Sequence, residues 1–427
     1  MQQTEYLDNL DESQRKAVEY IEGPSLVIAG AGSGKTRVLT TKIAFLTAHG
    51  LKPWNILALT FTNKAAREMR ERVAAIVGEG VAKYLVMGTF HSVFAKILRK
   101  EAPLLGYTSK FTIYDRTDST SLVKNIVKGM GLDVKVYKPS IVLSKISQAK
   151  NNLILAEEYF NDPDILKRDD SDKVPDVGHI YMKYQQRLKA SDAMDFDDLL
   201  VKMYILLTTH EEVRRKYVDR FNFVLVDEYQ DTNRTQARIL WLLTRERQML
   251  CVVGDDAQSI YAFRGADIGN ILNFTRIFPD ARLFKLERNY RSTKSIVDAA
   301  NSVIAHNRNR IPKDVYSLTG AGQKIEIYPT ESDVEEAERV VKSVCKTNAD
   351  NGVPYSEIAV LYRKNAQSRV IEEALRKSGV PYRVYGGLSF YERKEVKDAI
   401  AYFRMTVNPN DDEAFRRVVN YPARGIG

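Results

Sequence analysis

Ser25-Leu-Val-Ile-Ala-Gly-Ala-Gly-Ser-Gly-Lys-Thr36 is the stretch that decides the fold. Ser25 to Ala29 is a short apolar strand, and Lys35 to Leu46 has helical periodicity. Between them lies Ala29-Gly-Ala-Gly-Ser-Gly-Lys-Thr36, and a glycine-rich string in that strand-to-helix setting is a phosphate-binding loop. Gly32 and Gly34 let the backbone curl so that successive N–H groups face one anion. The helix N-terminus adds the positive end of its dipole. Lys35 is placed for the β- and γ-phosphates, and Thr36 offers its hydroxyl to Mg²⁺. Ala29 stands where the usual pattern has its first glycine, and a small residue suffices there. The plain alternative is a strand-to-helix turn without a ligand; the Gly-Lys-Thr ending and the flanking elements argue against it.

Downstream of the loop the alternation continues. Ile56 to Thr60 is a second strand, Lys64 to Val77 a charged amphipathic helix, Val86 to Thr89 a third strand, and Ser92 to Arg99 another helix. That rhythm predicts a parallel sheet covered by helices. From about Asp115 to Ala190 the signals turn helical, and strands return at Phe223 to Val226, Met249 to Val253 and Arg282 to Leu286. The simplest account is a helical insertion inside one α/β domain. Phe223-Val-Leu-Val-Asp-Glu-Tyr-Gln-Asp231 reads as a buried strand ending in two carboxylates. Asp227 fits the Mg²⁺-holding role and Glu228 the water-activating role of a P-loop ATPase. The long separation of Asp227 from Lys35 independently supports the insertion. A second alternation is expected after Glu287. It places helices at Lys294 to Asn307, Asp333 to Asn348 and Ala366 to Lys377, and strands at Ile325 to Tyr328, Ile358 to Tyr362 and Tyr382 to Tyr385.

Composition sets the outer bounds. The chain has 427 residues, 44% of them hydrophobic and 28% charged, the balance of an ordinary soluble globular protein. At roughly 150 residues per domain that suggests about three domains. Cys251 and Cys345 are the only cysteines and the five histidines are scattered, which excludes a disulfide scaffold and a zinc finger. The N-terminus is polar, without an apolar signal core, and no stretch supplies the ~20 apolar residues of a membrane span. The expectation is a cytoplasmic protein with no membrane partner. With 64 Lys and Arg against 55 Asp and Glu, the net charge is +9. Charge alone fits either a polyanionic partner such as nucleic acid or a surface used only for solubility.

Taken together, the motifs resemble those of the UvrD/Rep/PcrA-type DNA helicases of superfamily 1A, over nearly the whole chain. Leu10-Asp-Glu-Ser-Gln14 with Ala17-Val18 is similar to the family's adenine-reading Q motif. Thr60-Phe-Thr-Asn-Lys-Ala-Ala66 is similar to motif Ia, and Gly88-Thr-Phe-His-Ser92 to the next DNA-contacting motif. Val226-Asp-Glu-Tyr-Gln-Asp-Thr-Asn233 matches motif II over all its length. Gly254-Asp-Asp-Ala-Gln-Ser-Ile-Tyr-Ala-Phe-Arg-Gly-Ala266 resembles motif III, and Asn289-Tyr-Arg-Ser292 motif IV. Tyr362-Arg-Lys-Asn-Ala-Gln-Ser-Arg369 and Gly386-Gly-Leu-Ser-Phe-Tyr-Glu-Arg-Lys394 match the motif IVa region and the segment after it. In motif III, Ala257 stands in place of the common Asp, Phe263 in place of the usual Trp, and Ala262 in place of a frequent Arg.

The resemblance implies a P-loop, RecA-like domain 1A (1–114 and 195–286), a helical insertion 1B (115–194), part of a second RecA-like domain 2A (287–407) and the start of 2B (408–427). It implies ATP and Mg²⁺ as cofactors. ATP would be held by Gln14, Ala29, Gly30, Ala31, Gly32, Ser33, Gly34, Lys35, Thr36, Arg37, Tyr290 and Arg291. Lys35, Asp227, Glu228, Gln258 and Arg291 would carry the hydrolysis, with Thr36 and Asp227 on the metal. The partner would be single-stranded DNA and single/double-strand junctions, met by a monomer travelling 3′ to 5′. DNA contacts would come from Phe61, Thr62, Asn63, Thr89, Phe90, His91, Phe196, Tyr261, Phe263, Arg264 and Arg363, with rings stacking on bases irrespective of sequence.

Plain alternatives stand beside several of these. Phe90 and Phe196 are read either as DNA contacts or as core aromatics, and His91 either as a DNA contact or as a packed, capping histidine. Trp54 and Trp241 sit beside apolar runs and are expected in the core. Motifs V and VI are not found before Gly427, so the expectation is an N-terminal fragment that binds nucleotide, hydrolyses it slowly and does not unwind duplex. The competing functions are a nucleotide-gated single-strand-binding module and a subunit of a helicase–nuclease.

Overall fold

The computed structural model describes residues 5–385 and 390–426. Strands β1 (Ser25–Ala29), β2 (Ile56–Thr60) and β3 (Val86–Thr89) come first. Strands β4 (Thr112–Tyr114) and β5 (Ala193–Asp195) bracket a run of helices. They are followed by β6 (Phe223–Val226), β7 (Leu250–Gly254), β8 (Arg282–Leu286), β9 (Arg288–Asn289) and β10 (Tyr316–Ser317). Six of them form one sheet in the order β3-β2-β6-β7-β1-β8, every pair parallel. Each position of β1, β2, β6 and β7 is buried. This is why these strands read as continuous apolar runs: helices cover both faces of a parallel sheet. One face packs on Phe94, Leu199 and Met203, the other on Val38, Ile43 and Val73. Edge strand β8 is buried only at alternate residues.

The parallel sheet puts all its carboxyl ends on one rim, where open α/β sheets bind ligands. The glycine loop follows β1, Phe61 follows β2, Phe90 follows β3, Asp227 follows β6 and Asp255 follows β7. Strands β4 and β5 pair in parallel and close the two ends of the insertion. Between them, five helices from Arg116 to Ala190 enclose a separate core around Tyr114, Val123, Ile146, Tyr181 and Tyr184.

Residues up to 322 and from 401 onward form one compact unit, and 323–400 a second. These compact units divide after residue 322, not at residue 287. The reason lies in local bonding: Tyr290 N donates to Gly32 O at 2.9 Å, and Lys313 Nζ pairs with Asp255 at 2.9 Å and Asp256 at 2.5 Å. The segment from 408 onward, expected to open a further subdomain, packs on the insertion. Arg404 lies between Asp118 and Asp411 at 2.8 Å from each, and Asn408 Nδ2 donates to Ser191 O and Thr112 Oγ1, both at 2.9 Å.

In the second unit, helices Asp333–Asn351 and Ala366–Lys377 pack through Ala337, Val341, Val344, Ile371 and Leu375. The strands expected at 325–328, 358–362 and 382–385 are irregular segments there. A strand exists by pairing its backbone groups with a neighbour, and among the described residues none of the three joins a ladder. Ile327 and Leu361 accordingly stand 88% and 93% exposed. Gly386 to Ser389 of the segment after motif IVa lie outside the described residues. Trp54 also departs from expectation. It is 46% exposed, edge-on to Tyr84 at 6.2 Å, because it precedes β2 in a surface turn rather than entering the sheet.

Candidate functional site

Two cavities open on the rim. The first, about 440 Å³, is lined by Ala31 to Arg37 together with Gln14, Glu68, Arg72, Glu228, Gln258, Tyr290 and Arg291. Its floor is the glycine loop. Gly32 and Gly34 take φ of 69° and 87°, a left-handed backbone that favours glycine. Space demands glycine as well: a Cβ at Gly34 would lie 2.7 Å from Gln14 Nε2, and one at Gly32 2.7 Å from Arg291 Cβ. Ala29 ends β1 fully buried and Gly30 is covered by Val315, so these two form the base of the loop and do not line the cleft.

Gln14 is held by its own helix. Asp11 caps Glu12–Glu19 reciprocally, with Gln14 N donating to Asp11 Oδ1 at 2.8 Å and Asp11 N donating to Gln14 Oε1 at 3.2 Å. Its Nε2 donates to Ser33 O at 2.9 Å. Each half of the amide keeps one further hydrogen-bonding position. Tyr290 donates from its hydroxyl to Asp11 Oδ2 at 2.5 Å, with the Arg288 guanidinium 4.6 Å from its ring centre. Burial, and then the Asp11 hydrogen bond, push its phenol up to about 12.

The acid pair lies behind the loop. Lys35 Nζ donates to Glu228 Oε2 at 3.1 Å. Asp227 is 4% exposed, and its Oδ1 accepts from Glu228 N at 3.0 Å. Burial first, and then the neighbouring Glu228 charge, raise the Asp227 carboxyl to about 7, with Lys35 pulling it down. Glu228 itself has φ 49° and ψ 47°, a strained left-handed conformation for a residue with a Cβ. Gln258 Nε2 donates to Asp255 Oδ2 at 2.7 Å. Glu68 and Arg72 had no role assigned from sequence. They lie one helical turn apart on Asn63–Val77, and the only signal was that helix's charged face.

The second cavity, about 990 Å³, lies between the rim and the insertion. Phe61, Tyr261 and Phe263 form a chain of rings, with centroids 5.2 and 5.9 Å apart. The Arg264 guanidinium lies over both Tyr261 and Phe263, at 5.5 and 5.4 Å. Phe263 is 78% exposed and Phe196 53%, the latter edge-on to His91 at 5.8 Å. Of the alternatives, Phe196 is therefore presented and Phe90 is not. Phe90 is corrected to a core residue: 2% exposed, it packs edge-on to Phe94, because the first residue of helix Phe90–Glu101 turns inward. Thr89 and Thr62 spend their hydroxyls capping helices, accepting from Ser92 N at 3.2 Å and Ala65 N at 3.1 Å. Asn63 is exposed beside Thr62. His91 lines the groove, but burial lowers its pKa to about 4, so it is neutral near pH 7. Arg363 belongs to the second unit, where its side chain is exposed and its backbone N donates to Gln367 Oε1 at 3.1 Å.

The floor of the groove holds residues that sequence reasoning missed. Lys150, 1% exposed, pairs with Asp195 at 2.6 Å and Asp198 at 2.9 Å, and Tyr184 Oη donates to Asp195 at 2.8 Å. Asn151 accepts from Asn233 Nδ2 and packs against Gly265. No sequence pattern joins positions so far apart.

The UvrD/REP helicase N-terminal domain model matches residues 10–279, and the UvrD-like helicase C-terminal domain model matches 284–427. The chain is 46% identical over 420 residues to the ATP-dependent DNA helicase PcrA of Staphylococcus epidermidis, covering 98% of this chain and 56% of that one. It is 44% identical over 421 residues to the PcrA of Leuconostoc citreum (98% and 55%). It is also 44% identical over 423 residues to that of Staphylococcus aureus (99% and 57%). The chain thus spans little more than half the length of the curated relatives it matches. Among the described residues no helix is long and apolar enough to cross a membrane.

Proposed function

The chain belongs to the UvrD/REP helicase family, and on that premise we propose that it couples ATP hydrolysis to movement along single-stranded DNA. One observation carries the reading. The short segment after β7 lines both cavities: Gln258 faces the nucleotide cleft, and Ala262, Phe263 and Arg264 face the aromatic groove. A change at a bound γ-phosphate therefore has a covalent path of a few residues to the rings that would grip bases.

In this reading the backbone N–H groups of the glycine loop and Lys35 bind the phosphates, Gln14 and Tyr290 orient the base, and Glu228 orients the attacking water and takes its proton. Arg291, lining the same cleft, stabilises charge on the phosphoryl group. The buried Asp227, with the Thr36 hydroxyl, is a donor set suited to Mg²⁺, which takes its remaining oxygens from phosphate and water. Bound there, Mg²⁺ would neutralise the developing phosphate charge. Tyr261, Phe263 and Phe196 would stack on successive bases and Arg264 would hold a phosphate, giving sequence-tolerant affinity. Domains 1A (1–114 and 195–286), 1B (115–194), 2A (287–407) and 2B (from 408) are our functional assignment.

The test is ATP hydrolysis with and without oligo-dT. Stimulation by the oligonucleotide is expected, and Lys35→Ala should lower kcat at least ~100-fold. Full activity in that variant would overturn the assignment. Nucleotide binding that alters DNA affinity without turnover would favour the gated binding module instead.

A further inference from the structure

We propose that Gln230 is the positioning residue that carries the state of the nucleotide cleft into the aromatic groove. This rests on the coupled-motor reading and names the side chain through which its two sites communicate.

Gln230 lies on the turn after β6, 1% exposed. Its amide bridges two strand ends. Nε2 donates to Glu228 Oε2 at 2.8 Å, the oxygen that also accepts from Lys35. Oε1 accepts from Asp255 N at 3.0 Å, where the chain leaves β7. Its own carbonyl accepts from Ser259 Oγ at 3.3 Å. Asp255 is in turn a hub, accepting from Gln258 at 2.7 Å and pairing with Lys313 at 2.9 Å. An unbroken polar path therefore runs from Lys35 through Glu228 and Gln230 to Asp255 and Gln258. Two residues beyond Gln230, Thr232 O accepts from Asp267 N at 2.9 Å, so the same turn fixes both ends of the segment that carries Tyr261 and Phe263.

The bridge has no slack. A Cβ on Gly254 would meet Gln230 Oε1 at 2.6 Å and Ile271 Cδ1 at 2.8 Å. Buried to 1% exposure and bonded at both ends of its amide, Gln230 passes a displacement of Glu228 on to Asp255. A buried amide joining a buried N–H to a carboxylate also costs stability when either partner is lost. The two ends therefore move together.

The experiment measures linkage. The affinity of fluorescent oligo-dT is titrated with and without a saturating non-hydrolysable ATP analogue, and the affinity of the analogue with and without oligo-dT. The two ratios must agree by reciprocity, and for the unaltered chain a coupling on the order of tenfold is expected. Gln230→Met keeps the length and volume of the side chain but removes both hydrogen bonds. Gln230→Leu likewise removes both hydrogen bonds, with a branched apolar side chain of similar volume. Both should bring the ratio to within about twofold of one, while each ligand alone binds within about threefold of the unaltered chain, as linkage separates coupling from binding. Full coupling in either folded variant overturns the proposal, as does equal loss of both single-ligand affinities with the ratio intact. An unaltered chain that binds both ligands without coupling overturns it too. An unaltered chain that binds neither refutes the motor reading instead.

Discussion

In the nucleotide cleft the ligand-facing atoms are backbone N–H groups and charges half-hidden from water, Lys35 against Glu228 with Asp227 behind them. In the aromatic groove they are exposed rings, Phe263 and Phe196, standing on a floor of buried charge, Lys150 with Asp195 and Asp198. The floor of the cleft is one contiguous loop backed by a strand end, with residues from four other segments completing its walls. The groove is assembled from the ends of β3, β4, β5 and β7 and two helices of the insertion. On the proposed reading, chemistry that must place a phosphate within tenths of an ångström would fall to a rigid sheet rim, whereas sequence-tolerant stacking would need only presented rings.

The largest expected effect would break the idea that the groove stands on a buried ionic floor. Lys150→Met leaves Asp195 and Asp198 buried without their cation and should cost about 3–5 kcal/mol of stability. Thermal denaturation reads this, and an unchanged transition would reduce the floor to ordinary packing. Phe263→Ala should weaken oligo-dT binding by roughly 1–3 kcal/mol and leave nucleotide affinity unchanged. Equal losses of both would erase the distinction between the cavities.

The Asp227 carboxyl sharpens the cleft side. Its folded pKa, about 7, lies above the ordinary 3.8, so the folded state holds that proton more tightly than the unfolded chain. Its contribution is full below about pH 4 and is lost as pH rises through about 7. Asp227→Asn should therefore gain stability over the unaltered chain as pH rises from 5 to 8, by on the order of 1–3 kcal/mol. A pH-independent difference in denaturation would contradict this. The smallest effect is expected away from both cavities. Trp54→Ala removes a surface ring and should change stability by no more than about 0.5 kcal/mol.

The glycine loop and the acid pair of the cleft were legible because a glycine loop between strand and helix, and carboxylates at a strand end, are local patterns with local causes; Glu68 and Arg72, which line the same cleft from another helix, carry no such pattern. The groove was legible only in part. Phe196 and Phe90 both follow a short strand and open a helix, yet one is 53% exposed and the other 2%. Which ring turns inward depends on what covers the strand before it, and that is not written in either segment. The expected strands of the second unit failed for a related reason. Apolar alternation marks what can become a strand, but only a paired neighbour makes it one.

By itself, then, the sequence determined the parallel α/β core, the helical insertion, the phosphate loop and the acid pair, because periodicity, glycine geometry and strand-end carboxylates act over a few residues. The tertiary structure decided that residues 287–322 and 401–426 belong with the first unit, that Phe90 is core, and that Lys150 and Gln230 tie distant segments together. Those outcomes rest on burial and on single hydrogen bonds between residues far apart in the chain, which no local pattern encodes.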